Sequence, residues 1–207
     1  MVFGFGRKSR FRAHLKELQV HMLAEINNFA AGVTEEFDRI ANSRAIEPPP
    51  YPLFLSIGPP KTNTTHLNQL ILCLDGLSFF AHALDRLSFR PDSDALRAAV
   101  LDATVLELAN WLEATVDNVT ASENPVTKDE ILNYVNHRAL QYAEAPSLLG
   151  TNADDKHTAV WFAAETAAKN AGYPKDVPLT KLIQTRLMEG LVKSDLANRV
   201  NRLEELL

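Results

Sequence analysis

Between Leu67 and Phe89 the chain reads LNQLILCLDGLSFFAHALDRLSF, and 14 of these 23 residues are apolar. At 100° per residue, Leu70, Leu74, Leu77, Leu84 and Leu87 crowd one side of a helix, while Ile71, Leu72 and Phe79 carry apolar surface round to the other. A helix apolar on most of its circumference needs neighbours on most sides. The stretch from about 66 to 89 is therefore expected to be the central rod of an all-α, single-domain bundle of six to seven helices. Its length is near that of a short membrane span, but Asn68, Gln69, Asp75, Ser78 and His82 interrupt it, which favours a buried helix of a soluble protein.

The companion helices follow from periodicity. From Lys8 to about Ala41 the apolar positions Phe11, Leu15, Leu18, Met22, Ile26, Phe29, Val33, Phe37 and Ile40 repeat over eleven residues, which predicts a long, nearly straight helix, with Gly32 as a weak point. Leu96, Val100, Ala103, Leu106 and Leu112 predict a third helix over about 94–118. Thr127 with Glu130 three residues later forms a capping box that opens a fourth, with Ile131, Tyr134, Val135 and Leu140 on its inner face. A fifth is expected with Asp154 and Asp155 in its first turn and a stop at Gly172 and Pro174. Leucines from Leu179 to Leu207 predict a last segment, split near Gly190 and Ser194.

Prolines punctuate this pattern. Six of the eleven lie at 48, 49, 50, 52, 59 and 60, so a proline-rich extended crossing is expected over about 42–64, with Tyr51, Leu53, Phe54, Leu55 and Ile57 inserted into the bundle surface. The other five, at 91, 125, 146, 174 and 178, fall between segments read as helical. No repeat of 20 to 50 residues is present, which weighs against a solenoid.

Charge is unevenly placed. Arg7, Lys8, Arg10, Arg12 and Lys16 give the head +5 before the first acid, Glu17, and with a net charge of −5 the remainder carries −10. An acidic body argues against nucleic acid as a partner. The basic head over residues 1–10, with Phe3 and Phe5, supports the alternative expectation of a membrane-surface adaptor. Cys73 is the only cysteine and sits in the apolar rod, where a thiol behaves as a small apolar side chain; a reducing cytoplasm fits. The head lacks the apolar run of a secretory signal.

Candidate chemistry lies first on the rod itself, where Asp75, Ser78, His82 and Asp85 share one narrow stripe. A carboxylate beside an imidazole in a low dielectric is the usual setting for proton transfer or metal binding, so His82, Asp85 and Asp75 are the candidate catalytic residues. A second set on the first helix comprises His14, Glu17, His21 and Glu25. His82 and Asp85 with His21 and Glu17 form the candidate transition-metal set, with a site between the first two helices. A third set, His157, Trp161 and Glu165, suits either a groove wall or a core edge. Phosphate-binding glycine loops, Gly-x-Ser-x-Gly elbows, His-Glu-x-x-His and Cys-x-x-Cys motifs are absent.

The expectation drawn from this pattern is a non-catalytic cytoplasmic interaction or regulatory protein that associates with itself as a homodimer or with another protein, and that needs no cofactor. The rival is a metal-dependent or acid–base enzyme built on the stripe.

Overall fold

Helix α2 (Thr64–Ser88) is the element that every other helix touches. The computed structural model describes residues 3–44, 64–91, 93–119, 126–149, 156–170 and 176–207. Around α2 stand α1 (Phe3–Arg44), α3 (Ala95–Arg97), a π-helical turn (Ala98–Asp102), α4 (Ala103–Val119), α5 (Lys128–Ala143), α6 (Ala159–Asn170), α7 (Val177–Lys193) and α8 (Leu196–Glu204). The fold is all-α, with no strand among the described residues, and six of these helices have 12 residues or more. The proline cluster, PPPYP and the Leu53–Ile57 piece expected as an extended crossing lie outside the described residues.

Every residue of α2 from Leu70 to Leu84 is buried, which is the physical outcome of a helix apolar on nearly all sides. Two glycines permit the closest approaches. A Cβ on Gly76 would stand 3.0 Å from Phe29 Cδ1 of α1, and a Cβ on Gly190 of α7 would stand 2.9 Å from Phe80 Cζ of α2. The rod ends where Arg90 and Pro91 break the ladder, with the Ser88 hydroxyl donating to Leu84 O at 2.7 Å.

Helix α1 is longer than expected, 42 residues, or about 63 Å at 1.5 Å per residue. Its seam residues Leu18, Met22, Ile26, Phe29 and Val33 are buried against the chain's own core, and Phe11 and Leu15 pack at its edge. The side chains of Phe37 and Ile40 lie outside the described residues. Lys16 pairs with Glu107 of α4 at 2.8 Å and Arg199 of α8 pairs with Glu17 at 2.7 Å, so charged stitches flank the seam.

Local signals set three of the helix starts. Thr127 accepts from Glu130 N while Glu130 Oε2 accepts from Thr127 N at 2.8 Å, and Glu113 of α4 accepts from Lys128 N at 2.6 Å, adding a carboxylate at the positive end of α5. Helix α6 begins at Ala159, with Thr158 Oγ1 accepting from Trp161 N. Asp154, Asp155, Gly172 and Pro174 lie outside the described residues. Asp176 caps α7, and Pro178 stands inside its first turn rather than between helices, where its missing N–H costs nothing. The last segment does divide, at Asp195 with φ 52°, a left-handed conformation that Asp tolerates better than most residues. The Ser194 hydroxyl donates back to Leu191 O, closing the end of α7.

Two inner-face expectations are corrected. Leu140 is 72% exposed, because it lies nine residues and about 180° from Ile131 around α5, and Tyr142 takes the inner position instead. Leu106 is 43% exposed, while Thr104 and Leu108 are buried. Leu106 stands two residues, about 200°, from Leu108 around α4, so the two cannot both face inward.

A candidate ligand cleft beside a buried aspartate

The stripe on α2 divides between two places. Asp75 points into a sealed polar cluster: it accepts from Tyr134 Oη of α5 at 2.6 Å and from Asn170 Nδ2 of α6, which lies 3.0 Å from each carboxylate oxygen. Arg138 donates through Nε to Tyr134 Oη at 2.9 Å and lies 4.8 Å above that ring. Burial pushes the Asp75 carboxyl up to about 6, against the hydrogen bonds from Tyr134 and Asn170 and the charge of Arg138, which hold it down. The same burial, with the Asp75 charge beside it, raises the Tyr134 phenol far above its ordinary range. Ser78 uses its hydroxyl within α2, donating to Leu74 O at 2.8 Å.

His82 and Asp85 face elsewhere, into a cleft of about 350 Å³. Its apolar walls are Ala81 of α2, Leu101 of the π turn, Val105 of α4 and Leu132, Val135 and Ala139 of α5. His82, only 3% exposed, forms the floor; Asp102 and Leu106 stand at the exposed mouth. Arg97 donates to Asp85 at the rim, and Asn136 completes the lining. The His82 ring meets Tyr142 edge to face at 5.6 Å, and Arg86 Nε donates to His82 Nε2 at 3.0 Å while Arg86 Nη2 holds Ala145 O at 2.8 Å. Burial first, and then the charge of Arg86, bring the imidazole down to about 4, with Asp85 working the other way. The neutral ring is the form present near pH 7.

The remaining candidates are apart from this cleft. Glu17 accepts from Arg199 on the surface and lies 3.4 Å from His14 Nδ1, so its carboxyl sits below the usual carboxylate range. His21 is half-buried on α1, which contributes no residue to the cleft lining. His82, Asp85, His21 and Glu17 are therefore not assembled into one set, and no three His, Cys, Asp or Glu side chains among the described residues are placed to hold a metal. Trp161 is buried with Lys156 Nζ 5.5 Å from its ring, while Glu165 lies on a separate shallow groove between α5 and α6.

No protein-family model, curated protein or solved structure matches the chain. Its chemistry rests on the residues themselves, which form two neighbouring features that share α5: a closed hydrogen-bonded cluster and an open apolar cleft. Arg97, Asn136, Asn170 and the π turn carry no signal in the sequence as site elements; Tyr134 is legible there only as an inward position. No helix among the described residues is long and apolar enough to cross a membrane.

Proposed function

We propose that this chain is a non-catalytic regulatory protein whose signal is a small, mostly apolar molecule bound in the cleft between α2, α4 and α5. The observation that carries the reading is the cleft itself: six apolar side chains surround a buried histidine, at the small end of the size range of ligand pockets. The walls come from three helices and a π turn, an irregularity that recurs at functional positions in helices. A cytoplasmic setting belongs to the same proposal, supported by the lone thiol of Cys73 buried in α2.

Binding is favoured over proton transfer by the state of the two candidate groups. An imidazole held near 4 is a poor proton acceptor at neutral pH, and Asp85 is already engaged by Arg97. The proposal does not draw on self-association, and the α1 seam from Leu18 to Val33 is buried in the chain's own core.

Filling the cleft tests the proposal. Ala139→Trp should leave the protein folded and cooperative, since residue 139 is only half-buried. Titrating wild type with cyclohexanone or methylenecyclohexane should shift the amide resonances of Leu101, Val105, Leu132 and Val135, and Ala139→Trp should abolish those shifts. Absence of cleft shifts with either probe at millimolar concentration would overturn the reading.

A further inference from the structure

We infer that the cleft selects an uncharged molecule whose apolar body carries one hydrogen-bond acceptor, a carbonyl-type oxygen that meets the Nδ1–H of His82. The inference rests on the reading of the cleft as a ligand site and goes on to name the ligand's chemistry.

The tautomer is fixed by a neighbour. An arginine can only donate, so the 3.0 Å contact from Arg86 Nε makes His82 Nε2 an acceptor, and the proton of the neutral ring must sit on Nδ1. That Nδ1–H has no hydrogen-bond partner among the described residues, nor is it one of the polar atoms sealed from solvent without a partner. His82 is 97% buried and is one of the residues that line the cleft. A buried donor with an open side and no acceptor is an unmet demand, worth satisfying with a ligand oxygen.

The charges round the cleft determine the rest. Asp85 and Asp102 line it together with Arg97, and Arg86 stands behind the imidazole, so two cations face two anions and the site is electrically balanced. Arg97 is paired with Asp85, and Arg86 is held by His82 and Ala145 O, so each arginine of the cleft is already engaged within the protein. A charged ligand would give up its hydration among apolar walls without a compensating partner. The size fits a small molecule: at about 30 Å³ per water-sized group, the volume holds about a dozen such groups.

A matched set of cyclohexane derivatives reads this directly. Cyclohexanone and methylenecyclohexane have the same shape and differ in the acceptor, whereas cyclohexylammonium and cyclohexanecarboxylate add charge of either sign. In wild type, cyclohexanone should move the His82 15Nδ1 and Hδ1 resonances and methylenecyclohexane should not. In His82→Phe, cyclohexanone affinity should fall by about fivefold, the worth of a neutral hydrogen bond, with methylenecyclohexane changed less than twofold. Both ions should bind at least tenfold more weakly than the ketone. If both neutral probes bind but neither His82 resonance nor their affinity ratio responds, or if either ion binds as tightly as the ketone, the inference fails while the cleft reading stands. If neither neutral probe binds, the cleft reading itself fails. The wild-type resonances decide between these outcomes even if His82→Phe does not fold.

Discussion

The Tyr134 phenol and the Asp75 carboxylate are joined across 2.6 Å inside the protein, although 59 residues separate them in sequence. The bond ties α5 to α2, and Asn170 brings α6 to the same oxygens. A buried carboxylate deprived of one donor is costly, because hydrogen bonds to charged groups are worth about 1.5–3 kcal/mol. Tyr134→Phe should therefore destabilise the protein by about 2 kcal/mol at pH 7, measured by urea denaturation. Tyr142 makes the opposite case: its hydroxyl is buried with no hydrogen-bond partner among the described residues. Tyr142→Phe should be neutral or stabilising by about 1 kcal/mol. A Tyr142→Phe loss as large as that of Tyr134→Phe would contradict this contrast.

Asp75 and His82 should pull the pH dependence of stability in opposite directions. The Asp75 carboxyl is raised from 3.8 to about 6, so between those values the folded chain holds a proton that the unfolded chain has released. Its contribution therefore falls as pH rises through the window, by about 3 kcal/mol at 1.36 kcal/mol per unit, and is flat above it. His82 is lowered from 6.5 to about 4, so there the unfolded chain holds the extra proton and stability rises with pH. Between about pH 4 and pH 6.5, Asp75→Asn should gain stability relative to wild type as pH rises, and His82→Phe should lose it. Parallel profiles for all three proteins, followed by urea midpoint against pH, would refute both assignments.

The helix glycines should respond with opposite signs to the same change. At position 190 a new methyl would press on the fully buried Phe80 ring, and overpacking of this kind costs about 1–3 kcal/mol. At position 32 the nearest atoms are the flexible end of Arg186 at 3.7 Å. Gly32→Ala should then gain the helix preference of alanine, about 0.5–1 kcal/mol. Thermal denaturation of both variants is sufficient to rank them.

Cys73 should be inert in the folded protein. Burial pushes its thiol up to about 12, and reaction needs the thiolate. A disulfide-exchange reagent at pH 8 should label it only after unfolding; full labelling of native protein within minutes would show that α2 opens readily.

Whatever a short window of sequence contains is legible in it. The α5 start is readable because Thr127 and Glu130 supply both halves of their cap, and the burial of α2 because its apolar side chains leave no solvent face. Helix α1 is visible through its seam, although the seam stops short of the helix ends at Phe3 and Arg44. The candidate site is harder. His82 and Asp85 do share one face, yet the partners that decide their roles, Arg97 and the walls from α4 and α5, come from elsewhere in the chain. Asp75 has the spacing of a third member of that face and instead serves a different cluster, because Asn170 lies 95 residues away. Leu106 has an inward spacing only relative to Ala103, and it lies about 200° round the helix from Leu108, which takes the core position.

The π turn from Ala98 to Asp102 has a consequence for how such a chain can vary in length. Leu96, Val100, Thr104, Leu108 and Leu112 stay inward at every fourth position, as they would in an uninterrupted helix given one surplus residue. Removing Ala99 would let the rod close up while both flanks kept their bearings, and only the mouth framed by Arg97 and Asp102 would narrow. A one-codon loss at this point would thus resize the opening while the bundle beneath it stayed as it was.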